Sequence, residues 1–299
     1  MDHGGEHPDH LVWQRTIVDG RVAMYGRAGS GLPVLFLHGW ALGQHSYKRP
    51  LKRLVHLGCE VWAPALPGFG GTADLPAEEL SLAGHARWAA AFLAAVGVEE
   101  PAFVVGHSFG GGVAIKLAHD HPGRVRSLVL VNSIGGSTWV SAGSRIRSMA
   151  ERPLWDWGLH FPEDLLPVRQ IRRVLPVILE DAVPNLLRNP LALWKAGNLA
   201  RRADLTVELE ELKRRHLPVV VLWGDQDTII PRASFDALCA AIGSAGEVVS
   251  GRHSWLLADP DGFGEVMTNS VAVAQLARRL SEAPPAEDVG GDGRSPGSG

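Results

Sequence analysis

Gly106-His107-Ser108-Phe109-Gly110 stands directly after an apolar run and directly before a helix-like stretch. A serine at a sharp strand-to-helix turn presents its hydroxyl as a nucleophile, with the N–H groups of the helix start beside it. Such a turn brings the residues two before and two after the serine close together. Gly106 and Gly110 have no Cβ to clash there, and Gly111 and Gly112 let the helix start lie tight on a sheet. A hydroxyl needs a base, and the base needs a group to hold it. Gly251-Arg252-His253-Ser254 follows the last apolar run and offers an imidazole, while Gly224-Asp225-Gln226-Asp227 ends another and offers two carboxylates. One of these would hold the histidine in one tautomer and stabilise its imidazolium form. Asp227 is the preferred acid, because a short turn carries the fourth residue over the site. Asp225 is expected to satisfy backbone N–H groups within the turn.

His38-Gly39-Trp40 ends an earlier apolar run. Together with the residue after the nucleophile, this loop is expected to form an oxyanion hole from the backbone N–H groups of Trp40 and Phe109. Loss of one such donor typically costs about 10²–10³ in rate. His38, Gly39, His107, Trp139 and Trp155 are further candidates for substrate contact. For His107 the plainer reading is packing beside the turn, and for the tryptophans a place in a small local core. His45 reads as a helix-entry residue. His119 and His121 sit near a helix end, where a positive-leaning side chain suits the dipole. No third ligand accompanies them, and the chain has no HExxH or cysteine cluster, so no metal and no cofactor are expected. Asn132 ends the strand after the nucleophile helix and, as an amide, cannot be the acid.

These loops require a scaffold that brings strand ends together. Gln14–Val18 and Arg21–Tyr25 flank Asp19-Gly20 and read as a hairpin. Pro33–Leu37, Glu60–Leu66, Ala102–Val105, Val125–Val131, Val219–Trp223 and Glu247–Ser250 read as further strands. Most are continuously apolar, the mark of a sheet covered on both faces. Helices are expected at Ser81–Val96, with a serine cap, and at Phe109–His121, Arg232–Ile242 and Asp259–Leu280. This alternation predicts an α/β fold with a mostly parallel, doubly wound sheet. The stretch 136–215 breaks the rhythm and is too long for a connection. It reads as a cap of several short, proline-broken helices inserted after the sixth strand, leaving 11–135 and 216–280 as the core. Residues 1–10 and 281–299 are rich in Gly, Pro and acidic residues and are expected to be disordered.

The 299 residues include 45% apolar and 20% charged types, and the net charge is −3. No basic stripe points to nucleic acid, and no polybasic cluster points to an anionic membrane. The longest apolar run, Trp88 to Val98, is about half the length a bilayer requires. With no signal-like N-terminus, the expectation is a cytoplasmic protein without a stable membrane anchor. Cys59 and Cys239, far apart in sequence, read as buried free thiols. The sequence leaves the number of subunits open.

The segments HGW, LPGFGGT, GHSFGGG, LWGDQD and GRHSWLLADPDGF resemble the α/β-hydrolase superfamily. The resemblance is nearest to its capped esterase, lipase and carbon–carbon-bond hydrolase branch, over about residues 20–135 and 216–280. Ser108, Asp227 and His253 follow that fold's chain order of nucleophile, acid and base. The resemblance implies an α/β-hydrolase fold and a serine hydrolase acting through an acyl-enzyme on a small ester-like substrate with an apolar portion. One departure is visible: the family's DLPGFG segment reads ALPGFG from Ala65, without an aspartate regarded as structural. Relatives that cleave carbon–carbon bonds usually carry Asn where His107 stands. That activity, acyl transfer and perhydrolysis through the same triad are alternatives, and a non-catalytic binding member is a more distant one.

Overall fold

The computed structural model describes residues 10–136 and 168–282. Eight strands form one sheet: β1 Val12–Val18, β2 Arg21–Ala28, β3 Leu32–Leu37, β4 Cys59–Pro64, β5 Ala102–His107, β6 Val125–Val131, β7 Val219–Gly224 and β8 Glu247–Val249. Their order is β1-β2-β4-β3-β5-β6-β7-β8. β1 and β2 form the antiparallel hairpin predicted around Asp19-Gly20, β2 also runs against β4, and every other pairing is parallel. This is the expected α/β-hydrolase fold.

The helices are α1 Lys48–His56, α2 Leu82–Ala95, α3 Phe109–Asp120, α4 Val168–Arg188, α5 Pro190–Arg202, α6 Thr206–Arg214, α7 Arg232–Ile242, α8 Trp255–Ala258 and α9 Pro260–Glu282. Strand pleating sends alternate side chains to opposite faces. Leu35, Leu37, Val104, Leu128 and Leu130 pack under α2, α3 and α7, whereas Val34, Phe36, Phe103, Val105 and Val129 pack under α1 and α9. Two apolar layers therefore sandwich the sheet, and β3 and β5 are buried along their whole length. Full burial of each such side chain stabilises by about 1.5–3 kcal/mol.

Several sequence expectations need adjustment. β4 ends at Pro64 and not Leu66. α1 follows the helix entry read at His45, but its extent is hidden in the sequence because Pro50 and four Lys or Arg residues obscure its short apolar stripe, of which Leu51 and Leu54 are buried. The segment 136–215 lies partly outside the described residues, at 137–167. Within the rest, α4 runs unbroken through Pro176 and Pro184, against the expectation of proline-broken helices. A mid-helix proline costs about 3 kcal/mol or more, so α4 must be held by contacts outside itself. α5 and α6, both within this segment, bury Leu193, Ala196, Leu209 and Leu212 in the same apolar layer as α3 and α7. The predicted tail begins within α9, and 1–9 and 283–299 lie outside the described residues. Ser81 caps α2 as anticipated, its hydroxyl accepting from Gly84 N–H at 3.0 Å. Among the described residues no helix is long and apolar enough to cross a membrane.

Candidate active site

Parallel strands deliver their loops to one edge of the sheet. β3 leads into His38-Gly39-Trp40, β5 into Ser108, β6 into Asn132, β7 into Asp225 and Asp227, and β8 into His253. Gly39, Trp40, His107, Ser108, Ile229 and His253 border one small cavity there.

Ser108 joins β5 to α3 with φ 52° and ψ −116°, a conformation that L residues rarely adopt. The turn is held by its own backbone: Ser108 N–H donates to Val131 O at 3.0 Å, and Gly111 N–H donates to Ser108 O at 3.0 Å. The glycines around it follow from distance. A Cβ on Gly106 would lie 2.6 Å from Gly110 O, and one on Gly110 would lie 2.2 Å from Leu37 O.

Asp227 is fully engaged. Its Oδ1 accepts from the N–H groups of Ile229 at 2.8 Å and Ile230 at 2.9 Å. Its Oδ2 lies 2.9 Å from His253 Nδ1 and accepts from Asn132 Nδ2 at 2.5 Å. Asp225 instead turns outward and accepts from Gly251 N–H at 2.9 Å, tying the β7 turn to the loop that carries His253. Asn132, read from sequence only as a residue unable to be the acid, is part of this arrangement. It sits at φ 44°, donates to Asp227 and accepts from Trp255 Nε1 at 2.8 Å. Its role depends on the β6–β7 pairing, and no local sequence signal marks it.

His107 has both ring nitrogens occupied. Gly39 N–H donates to the Tyr47 hydroxyl at 3.0 Å, Tyr47 lies 2.8 Å from His107 Nδ1, and His107 Nε2 lies 3.0 Å from His253 O. The amide can only donate and the carbonyl can only accept. The Tyr47 hydroxyl therefore donates to Nδ1, and His107 Nε2–H donates to His253 O. This chain links the loop after β3 to the loop after β8. A Cβ on Gly39 would come within 2.8 Å of His107 Nδ1.

His38, a candidate for substrate contact, is engaged elsewhere. Its Nδ1 bonds Gly39 O at 2.8 Å and its Nε2 accepts from Leu66 N–H at 2.8 Å. At 1% exposure it braces two loops and is not among the cavity-lining residues. Trp139 and Trp155 lie outside the described residues. Trp40 borders the cavity, and its indole N–H donates to Leu193 O of α5 at 2.7 Å. His45 leads into α1 and contacts Asp181 at 3.3 Å. Among the described residues no group of three His, Cys, Asp or Glu side chains could hold a metal ion.

Burial keeps three histidines neutral. Desolvation lowers His38 and His85 to about 4 and His107 to about 3, against some opposing help from backbone acceptors. In the unfolded chain each would bind a proton near pH 6.5. Below that pH the unfolded state holds more protons than the native state, so stability falls as pH falls, by about 1.4 kcal/mol per pH unit for each histidine. Acidification from pH 7 to 5 should therefore lower the urea midpoint, with these rings taking up protons on unfolding at pH 5. Equal midpoints at the two pH values would contradict burial of these rings as neutral groups.

A family model described as alpha/beta hydrolase fold matches residues 33–174. A putative non-heme haloperoxidase of Mycobacterium phage D29 is 28% identical over 273 residues, covering 87% of this chain and 94% of that protein. The dihydrolipoyllysine-residue acetyltransferase component of the acetoin cleaving system of Cupriavidus necator is 33% identical over 248 residues. That match covers 79% of this chain but spans only 63% of the relative. Among solved structures, an esterase from Exiguobacterium antarcticum superposes with a TM-score of 0.71 at 19% identity, covering 87% of this chain and 100% of the esterase.

Proposed function

We propose that this chain, which has the α/β-hydrolase fold and relatives and neighbours described as hydrolases, cleaves an ester-like acyl substrate through Ser108, His253 and Asp227. Ser108 Oγ attacks the acyl carbon while His253 Nε2 takes its proton. Asp227 Oδ2, at Nδ1, stabilises the resulting imidazolium. The main-chain N–H groups of Trp40 and Phe109 receive the developing oxyanion. Phe109 is the first residue of α3, where N–H groups have no acceptor within the helix. His253 then protonates the leaving alcohol. Water, deprotonated by the same imidazole, attacks the acyl-enzyme and releases the acid and Ser108.

The observation that supports this reading most is the fixed Asp227–His253 pair beside the cavity that Ser108 also borders. In this reading α4 and α5 act as the cap, and Trp40, Leu42 and Ile229 offer apolar wall to the acyl portion. The free, buried Cys59 and Cys239 suit a reducing compartment such as the cytoplasm.

The likeness to a putative haloperoxidase supports a second reading, in which hydrogen peroxide replaces water at the acyl-enzyme and a peracid is released. A p-nitrophenyl ester series of increasing chain length, run with and without peroxide and beside a vinylogous diketone, separates the possibilities. Ester hydrolysis is expected to dominate. Faster cleavage of the diketone would transfer the site to carbon–carbon bonds, and peracid formation outrunning hydrolysis would favour the second reading.

A further inference from the structure

Asp181 and Asn185 stand one turn apart on α4 and are 5% and 4% exposed. Buried polar side chains on a helix require partners, and a buried carboxylate requires several. Nearly all of theirs lie on one loop, the chain from Ala41 to Ser46 that continues Gly39-Trp40. Asp181 Oδ2 accepts from Gly43 N–H at 3.1 Å, from Ser46 N–H at 2.7 Å and from the Ser46 hydroxyl at 2.7 Å. Its Oδ1 faces His45 Nδ1 at 3.3 Å. Burial alone would raise this carboxyl, but the bonds from His45 and Ser46 outweigh it and hold the group below its ordinary range. Asn185 Nδ2 donates to the carbonyls of Ala41 at 3.0 Å and Leu42 at 3.3 Å, and its Oδ1 accepts from Gly70 N–H at 2.9 Å.

The loop needs such support. Ala41 has φ 64°, a left-handed conformation that costs a non-glycine residue about 1 kcal/mol or more. It persists where surrounding bonds over-determine it. Tyr47 holds the start of the loop through Gly39, and Asp181 and Asn185 hold the remainder from the opposite side. Trp40, whose N–H is assigned above to the oxyanion, lies between these anchors, and its own side chain is tied to α5.

We propose that Asp181 and Asn185 are positioning residues for the oxyanion loop, so that α4 sets the donor geometry at Ser108 as well as covering the site. The proposal rests on the serine-hydrolase reading for its catalytic consequence, but not for the clamp itself. Oxyanion donors act mainly in the transition state. Loosening them should lower kcat and leave KM nearly unchanged.

Asn189 supplies an internal control. It lies four residues beyond Asn185, just past the end of α4, caps α5 through Ala192 and binds Asp74, but makes no bond to residues 39–46. Asp181→Asn and Asn185→Ala are expected to lower kcat per active site, titrated with a fluorophosphonate, by about 10–100-fold. KM should shift less than threefold and Asn189→Ala should leave both constants within threefold. Affinity for a boronic acid, which mimics the tetrahedral state, should fall in parallel with kcat. Hydrogen exchange of residues 40–47 should quicken in Asp181→Asn and Asn185→Ala but not in Asn189→Ala, which reads the clamp without any catalytic assumption. Should Asp181→Asn not fold, Asn185→Ala carries the test alone. Unchanged exchange in that loop, or wild-type kcat per titrated site, would overturn the proposal. A wild-type protein with quickened exchange on substitution but no ester turnover would overturn the serine-hydrolase reading instead.

Discussion

Replacing Ser108 with alanine is expected to lower ester turnover by about 10⁶-fold, with the fold intact. Alanine keeps the Cβ, and the turn is held by main-chain bonds from Ser108 to Val131 and Gly111 that the substitution does not touch. In the proposed mechanism the lost atom is the one that forms the acyl-enzyme, and among the described residues bordering the cavity no other hydroxyl stands at the start of α3. Ser254 also borders the cavity, but it follows His253 on the loop after β8 and not at the start of α3. Residual rate over water should persist, since oxyanion donors and binding still act on a directly attacking water. Measured kcat within tenfold of wild type would remove Ser108 as nucleophile.

Asp227→Asn is expected to lower kcat by about 10⁴-fold, whereas Asp225→Asn should change it by less than about threefold. The asymmetry follows from the bonds each carboxylate makes. Asp227 Oδ1 accepts two backbone N–H groups, so an amide oxygen must take that side. The amide nitrogen would then face both His253 Nδ1 and the Asn132 amide, donor against donor. Relief comes from moving the imidazole proton to Nε2, which leaves no lone pair there to accept the serine proton. Asp225 asks only for an acceptor toward Gly251 N–H, and an amide oxygen supplies it. Equal effects of the two substitutions would displace the acid assignment.

Much of this arrangement is legible in the sequence because its signals are local. The glycines at 106 and 110 report a close approach within five residues, and β3, β5 and β6 read as strands because both sheet faces are covered. Asp227 and Asp225 separate by their position in one short turn. What escapes is what depends on strands and helices that meet only in three dimensions. Asn132 serves Asp227 because β6 and β7 are neighbours with Val131 opposite Leu222. The Tyr47–His107 chain joins residues 60 apart, and Asp181 reaches Ser46 across 135. His38 reads as a site residue because it adjoins Gly39, yet its ring points into the loop packing. α4 looked broken at its prolines because the polar anchors that hold it lie in another part of the chain.

The most direct test is fluorophosphonate labelling of the purified protein, with the modified peptide identified by mass spectrometry. A single adduct on Ser108 in the wild type, absent from Ser108→Ala, is the expected result. An unlabelled wild type, or an adduct that survives in the alanine variant, would contradict the assignment of the reacting hydroxyl.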